Sequence, residues 1–458
     1  MPRPNEGAEV PEMRDDNFLT EMNARHLWHP MAHPGEMRAA PPKVITGAEG
    51  VRITDLDGHT TIDAVGGLWN VNLGYSCAPI KAAIADQLQR LPYYSAFKGT
   101  TNDAAIELSV KLAEMFGPEG MTRAFFTAGG SDSVDTALKL ARQYHRLRGE
   151  PGRTKFIAIR KGYHGTHWGG ASVNGNPQFR APYEPMLPGC FHIPAPYAYR
   201  NPFDESDPER LAALCLRALE AEIEMQVPGT VAAFIMEPVL GAGGVIPPHP
   251  SFMPGAREIC DRHGVLLIAD EVITGFGRTG DVSGSRHWGV KPDMMCLAKA
   301  ITSGYFPMGA VLANDRMAEV FEGEQGAMIG TGYTYSGHPV GCAAALACLA
   351  ETERLALWDR ARHQGARLKA GLTDLAGRHD IIGDVRGEGM MCAVEIVSDR
   401  AAKSADAALA GRVFEATYEA GVMVRWSGHN LVMSPPLILS DGDCDRIVAA
   451  LDEGLAAA

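Results

Sequence analysis

Between about residues 78 and 350 the chain alternates short apolar runs with amphipathic stretches of helical spacing, and this rhythm restricts its fold more than any other feature. The apolar runs fall at residues 123–127, 155–159, 231–236, 265–269 and 309–313. Strand followed by helix, repeated, implies a largely parallel sheet covered on both faces. The pattern differs on either side. Up to Lys43 the chain is polar and proline-rich, and residues 51–63 then alternate around Asp57-Gly58, the signature of a hairpin in a small β layer. Toward the C-terminus, a long helical stretch over residues 339–376 leads into an apolar segment at 381–396. A further helix and the short runs 422–425 and 431–433 follow, an order that indicates a separate α+β domain. The expected organisation is an α/β protein in three parts. Residues 1–75 form an N-terminal segment packing with the small domain, 76–338 a large domain with a mostly parallel central sheet, and 339–458 a smaller α+β domain.

Composition narrows the function classes. A formal net charge of −13 over 458 residues argues against a phosphate-backbone partner, which needs clustered lysine and arginine. Nine cysteines are scattered singly without a Cys-x-x-Cys pair, as expected for reduced thiols in a cytoplasmic protein. The first sixteen residues have no apolar core of signal-peptide type, and no run approaches 18 uninterrupted apolar residues, so neither export nor membrane insertion is expected. The histidines form no His-x-x-x-His pair beside an acid, and no metal site is expected.

The chemistry concentrates at the ends of two runs. Residues 265–269 lead into Asp270-Glu271, and residues 293–298 lead straight into Lys299. Adjacent parallel strands would bring Asp270 and Lys299 to one sheet edge, where open α/β sheets bind ligands. Lys299, flanked by Leu297, Ala298, Ala300 and Ile301, is poorly placed to reach water. Burial would lower its pKa and leave a reactive amine. An amine and a carboxylate so arranged suit pyridoxal phosphate, the amine as Schiff-base former and the carboxylate as partner of the pyridine nitrogen. At about 4 Å and an effective dielectric near 20, such a charge pair is worth on the order of 4 kcal/mol, enough to hold a heterocycle cationic.

A helix beginning near Gly130 and Ser131, after the run 123–127, would offer free N–H groups to a phosphate. Taken alone, Gly-Gly-Ser is equally an ordinary helix start, and it gains weight only from Asp270 and Lys299. Gly162-Tyr-His-Gly165 sets an aromatic and an imidazole at the next strand end, where either could stack on a flat ring. Two competing motifs fail. The acid-ended strand resembles that of P-loop ATPases, but the chain has no Gly-Lys dipeptide. Residues 241–246 are glycine-rich, but they lack GxGxxG spacing and run into Pro247-Pro248.

Several long segments in order resemble the class III (ω-amino acid) aminotransferases, pyridoxal-phosphate enzymes of fold type I. These are Gly67-Leu-Trp-Asn-Val-Asn-Leu-Gly-Tyr75, Gly162-Tyr-His-Gly165, Glu237-Pro-Val-Leu-Gly-Ala-Gly-Gly244, Ala269-Asp-Glu-Val-Ile-Thr-Gly-Phe-Gly-Arg-Thr-Gly280, Lys299 with Ser303-Gly-Tyr-Phe-Pro-Met-Gly-Ala310, and Tyr333-Thr-Tyr-Ser-Gly-His-Pro339. The likeness is strongest to amine, β-alanine and taurine:pyruvate transaminases. It implies that Lys299 carries the cofactor and shuttles the proton, and that Asp270 pairs with the pyridine nitrogen. It further implies that Val272 and Tyr163 cover the two ring faces, that Gly130 and Ser131 hold the phosphate, and that Glu237 supports the ring hydroxyl. Thr334 would reach the phosphate from a partner subunit, which implies a homodimer, or a tetramer of two dimers, with active sites at the interface. For substrate, the resemblance implies an aromatic pocket of Trp69, Tyr93 and Tyr163, space beside Ala242, and Arg425 as the mobile group that binds a carboxylate.

One departure stands out. The family's phosphate loop commonly reads Ser-Gly-Ser-Glu, and here it is Gly129-Gly-Ser-Asp132, short of one hydroxyl. The expected activity is transfer of an amino group from an amine or ω-amino acid to pyruvate. A decarboxylase or aminomutase on the same cofactor is the alternative, and a silent cofactor-binding regulator is disfavoured because both lysine and acid are retained.

Overall fold

The computed structural model describes residues 16–324 and 326–458. Strands β1 (Ile45–Glu49), β2 (Arg52–Asp55) and β3 (Thr60–Asp63) form a small antiparallel meander, with the β2–β3 hairpin closing around Asp57-Gly58.

Seven strands build the central sheet: β4 (Met121–Thr127), β5 (Lys155–Ile159), β6 (Cys190–Ile193), β7 (Val231–Met236), β8 (Leu266–Asp270), β9 (Met294–Leu297) and β10 (Gly309–Asn314). Their order is β4-β10-β9-β8-β7-β5-β6. β9, β8, β7, β5 and β6 run parallel, while β10 is antiparallel to both its neighbours. The reason is the short link from β9 to β10, too brief for the crossover that a parallel neighbour requires. β7, β8 and β9 are buried at every position, which explains why they read as unbroken apolar runs. Separate apolar clusters cover the two faces, one containing Leu267, Phe234 and Met295, the other Ile268, Ile235 and Met294.

The C-terminal part adds β11 (Ile382–Glu388), β12 (Met391–Asp399), β13 (Ser404–Ala405), β14 (Val422–Met423), β15 (Arg425–Ser427) and β16 (Asn430–Met433). An antiparallel sheet runs β11-β12-β16-β15, with β13 pairing beside β12. Two details differ from the sequence reading. The helical stretch over 339–376 is two helices, Pro339–Arg354 and Leu357–Arg378, broken where Ala356 adopts a left-handed φ of 45°. The run 422–425 is split between sheets, since β14 pairs in parallel with β3 whereas Arg425 begins the neighbouring strand. One apolar cluster accordingly joins Val51, Ile62 and Leu73 to Val422, Leu431 and Leu451.

Candidate active site

β8 and β9 lie side by side and parallel, with Asp270 in register with Cys296, and they deliver Asp270 and Lys299 to one cavity of about 390 Å³. Successive residues of a strand face opposite ways, so the acid pair divides. Asp270 lines the cavity, while Glu271 turns into the protein and accepts hydrogen bonds from the N–H groups of Gly284 (2.9 Å) and Ser285 (2.6 Å) and from two hydroxyls. The chain then kinks at Lys299, whose φ is +44° at the start of a 3₁₀ turn over Lys299–Thr302.

Lys299 Nζ makes no hydrogen bond or ion pair among the described residues. Burial lowers its pKa below the ordinary lysine value, the nearby Arg425 charge adds to the lowering, and Asp270 and Glu237 oppose it. Asp270 is held in place: its Oδ2 lies 2.8 Å from Nδ1 of the buried His164, and its Oδ1 accepts from the Val272 N–H at 3.2 Å. His164 Nε2 is buried with no hydrogen-bond partner. Glu237, at the end of β7, accepts from the N–H of Tyr163 at 2.9 Å and of Gly241 at 2.8 Å. Burial, reinforced by the Asp270 charge, pushes its carboxyl up to about 7 against the opposing effect of His164.

The cavity is also lined by the start of the helix Gly130–Leu147, which has no side-chain cap. The N–H groups of Gly130, Ser131 and Asp132 find no partner among the described residues, an arrangement that suits an anion. The Asp132 carboxylate braces the turn by accepting from Ala128 N–H at 3.1 Å, and it lies 3.3 Å from His167. A Cβ on Gly130 would meet Val272 at 3.0 Å, and one on Gly165 would meet the Ser131 hydroxyl at 2.5 Å, so glycine is needed where these loops converge. Tyr163 and Val272 both line the cavity.

The cavity thus gathers Gly130, Ser131, Tyr163, Glu237, Asp270, Val272 and Lys299. The other residues singled out from sequence lie outside its lining. Trp69 is buried in a cluster with Val239, Val245 and Ile273, the last of which does line the cavity. Ala242 is half-buried in the turn after Glu237. Tyr93 and Thr334 are exposed and joined to each other, the Tyr93 hydroxyl donating to the Thr334 carbonyl at 2.8 Å. Arg425 lines a second, largely apolar cavity of about 550 Å³ with Val65, Gly67, Tyr75 and Trp426. It has no hydrogen bond or ion pair among the described residues, and burial lowers its pKa. Sequence reasoning passed over His164 as the partner of Asp270. The signal was present, because a buried carboxylate requires a partner and His164 stands beside Tyr163.

The site fits pyridoxal phosphate on several counts. It offers an unpartnered amine, a braced carboxylate for a ring nitrogen, an aromatic ring and a branched aliphatic for the two ring faces, and a glycine-lined helix start for the phosphate. No group of three or more His, Cys, Asp or Glu among the described residues could hold a metal. No helix among them is long and apolar enough to cross a membrane.

A seven-stranded, mostly parallel sheet with this cavity at its edge is the framework of a pyridoxal-phosphate-dependent transaminase of fold type I. The chain belongs to the aminotransferase class-III family, whose sequence profile matches residues 35–455. Among characterised relatives, diaminobutyrate–2-oxoglutarate transaminase of Halomonas elongata is 39% identical, the match covering 91% of this chain and 90% of the relative. Putrescine–pyruvate aminotransferase of Pseudomonas aeruginosa is 37% identical over 89% of each chain. An amine transaminase from an uncultivated Pseudomonas species, solved in its PLP-bound form, superposes with a TM-score of 0.92 at 47% identity, covering 94% of this chain and 98% of its own. An (S)-enantioselective ω-transaminase from Thermomicrobium roseum superposes with a TM-score of 0.93 at 38% identity, covering 97% and 99%.

Proposed function

We propose that this enzyme moves an amino group from a primary amine or ω-amino acid to pyruvate or a similar oxo acid in two half-reactions at one site. The observation that carries this reading is the unpartnered Lys299 amine in a cavity with Asp270, close enough to the unpaired Arg425 to feel its charge. Pyridoxal phosphate, when bound, supplies the electron sink that makes the carbon next to the amino group acidic, and it carries nitrogen between the half-reactions. Lys299 both holds the cofactor and moves the proton at the substrate carbon, and its lowered pKa provides the free base this requires. Asp270, fixed by His164, keeps the ring nitrogen protonated. Glu237 supports the ring hydroxyl, while Tyr163 and Val272 hold the ring between them. Gly130 and Ser131 receive the phosphate, joined by Thr334 of the partner subunit, so the active form is a homodimer or a pair of dimers.

Trp69, Tyr93 and Tyr163 form the aromatic wall of the substrate pocket, with space beside Ala242. Arg425 takes the carboxylate of an oxo acid and withdraws for a carboxylate-free amine, using a guanidinium fork that matches a planar carboxylate. Nine unpaired cysteines favour the cytoplasm as its location.

The two relatives named above differ in acceptor, one named for pyruvate and the other for 2-oxoglutarate, so the acceptor is the point to test. Addition of 1-phenylethylamine to the loaded protein is expected to bleach its visible absorbance, and pyruvate to restore it with one alanine formed per amine consumed. Amine consumption without alanine would point to a decarboxylase or aminomutase. Lys299→Ala is expected to abolish turnover and the visible band together, and a variant that still transaminates at the wild-type rate would end the proposal.

A further inference from the structure

Arg386 is a buried arginine in the C-terminal sheet, outside the cavity and without a place in the reaction just described. The register of that sheet gives it a partner at a distance. Arg386 on β11 stands opposite Ala393 on β12, Ala393 opposite Val432 on β16, and Val432 opposite Arg425 on β15. Residues directly opposite one another in antiparallel strands share a face, so the two arginines occupy the ends of one cross-strand row, about 14 Å apart at the usual strand spacing. Between them, Ala393 and Val432 belong to the same apolar cluster as Trp69 and Ile273. This row therefore faces the cavity side of the molecule.

The two ends are held differently. Arg425 is unpaired, whereas Arg386 uses its whole fork. Within its own sheet it donates to Asp384 (2.9 Å), Glu395 (3.1 Å) and Asn430 (2.5 Å), all from the neighbouring row on the same face. Its Nε leaves the sheet and donates to the carbonyl of Gly244 at 2.7 Å. Gly244 ends a tight turn over residues 241–244, closed by its N–H donating to the Gly241 carbonyl at 3.0 Å, and at the other end the Gly241 N–H donates to Glu237. The turn is closely packed: a Cβ on Gly241 would meet Ile273 at 2.5 Å, one on Gly243 the Lys161 carbonyl at 2.4 Å, and one on Gly244 the Arg386 guanidinium at 3.0 Å. Glu395 anchors the guanidinium in turn. Burial opposes its charge, but the Tyr197 hydroxyl, Arg386 and Arg200 hold its carboxyl below the ordinary value.

We infer that Arg386 is a positioning residue for recognition of the substrate carboxylate. Its fork fixes the C-terminal sheet against the 241–244 turn, and thereby sets where Arg425, at the other end of the row, stands relative to Lys299. The inference rests on the proposed role of Arg425 as the carboxylate-binding group. Lysine at 386 keeps the charge but cannot bridge Gly244, Glu395 and Asn430 together.

The test separates the half-reactions by stopped flow on the cofactor-loaded enzyme. Arg386→Lys is expected to raise the KM for pyruvate at least tenfold while the rate of the 1-phenylethylamine half-reaction, which presents no carboxylate, stays within twofold. In an Arg425→Ala background the same substitution is expected to change the pyruvate KM less than twofold, because a residue acting through Arg425 has nothing left to act on. Parallel losses in both half-reactions, or full additivity with Arg425→Ala, would show a merely structural arginine and overturn the inference. If Arg386→Lys does not fold, Asn430→Ala decides the matter by removing one arm of the fork: a raised pyruvate KM with the amine half-reaction intact supports the inference, and an unchanged KM refutes it. Wild-type enzyme that aminates no oxo acid would overturn the proposed function itself, and this is seen before any variant is compared.

Discussion

Glu237 is a carboxyl group placed where water cannot stabilise its charge. Its pKa of about 7 in the fold compares with 4.5 for an unperturbed glutamate, so between these values the unfolded chain has released a proton that the folded protein still holds. The unfolded state binds fewer protons there, and stability falls as pH rises through that window, by about 3 kcal/mol at most. Thermal melts of the cofactor-free protein at pH 5 and pH 7 should therefore show a drop that Glu237→Gln reduces; an equal drop in the variant would assign it to other groups. Gly129 offers a gain instead of a loss. Its φ of 177° is open to any residue, and a Cβ there would meet nothing within 4 Å. Gly129→Ser should add a hydroxyl donor at the helix start and tighten cofactor binding by about 1 kcal/mol, roughly fivefold, as read from cofactor loss on dialysis.

Elements explain which parts of the molecule were legible in the sequence. β7, β8 and β9 were legible because each is a buried apolar run of four to six residues bounded by polar or turn-forming chain, and the parallel pairing of β8 with β9 brings Asp270 and Lys299 together. β6 carries no such signal, being four residues long with a histidine inside it. The helix break at Ala356 was hidden because alanine is a strong helix former and neither glycine nor proline marks the spot. Arg386 was invisible for a different reason: its relation to Arg425 exists only in the register of four strands. The start of β10 illustrates how tightly elements meet at the proposed phosphate end. A Cβ on Gly309 would come within 2.5 Å of the Thr127 hydroxyl and 2.7 Å of the Gly129 carbonyl. Gly309→Ala should cost about 1–3 kcal/mol of stability and displace the phosphate loop, so that cofactor affinity falls with the melting temperature. A variant with unchanged affinity would mean that the loop absorbs the methyl.

For the whole molecule, the segments carrying Tyr93 and Thr334 also expose Tyr94, Phe97, Met328, Ile329 and Tyr335, an apolar concentration unusual on a free surface. A dimer that buries these segments would complete each site with Thr334 of the partner subunit. Light scattering should accordingly give about twice the chain mass of 49.1 kDa for a dimer, or about four times for a pair of dimers, and never the mass of one chain. Introducing charge there, as in Tyr94→Asp with Met328→Asp, should yield monomers that lose cofactor readily; monomers that retain it as firmly as wild type would remove Thr334 from the site.

Asp270 and the approach to Lys299 belong to interior strands with a partner on each side, whereas β15, which bears Arg425, is the last strand of its sheet and has one neighbour. A change within β8 disturbs two hydrogen-bonded ladders, and a change within β15 only one. On the roles proposed for these residues, chemistry and preference are anchored with unequal firmness, and descendants of this chain would change diet at the rim without relearning the reaction at the centre.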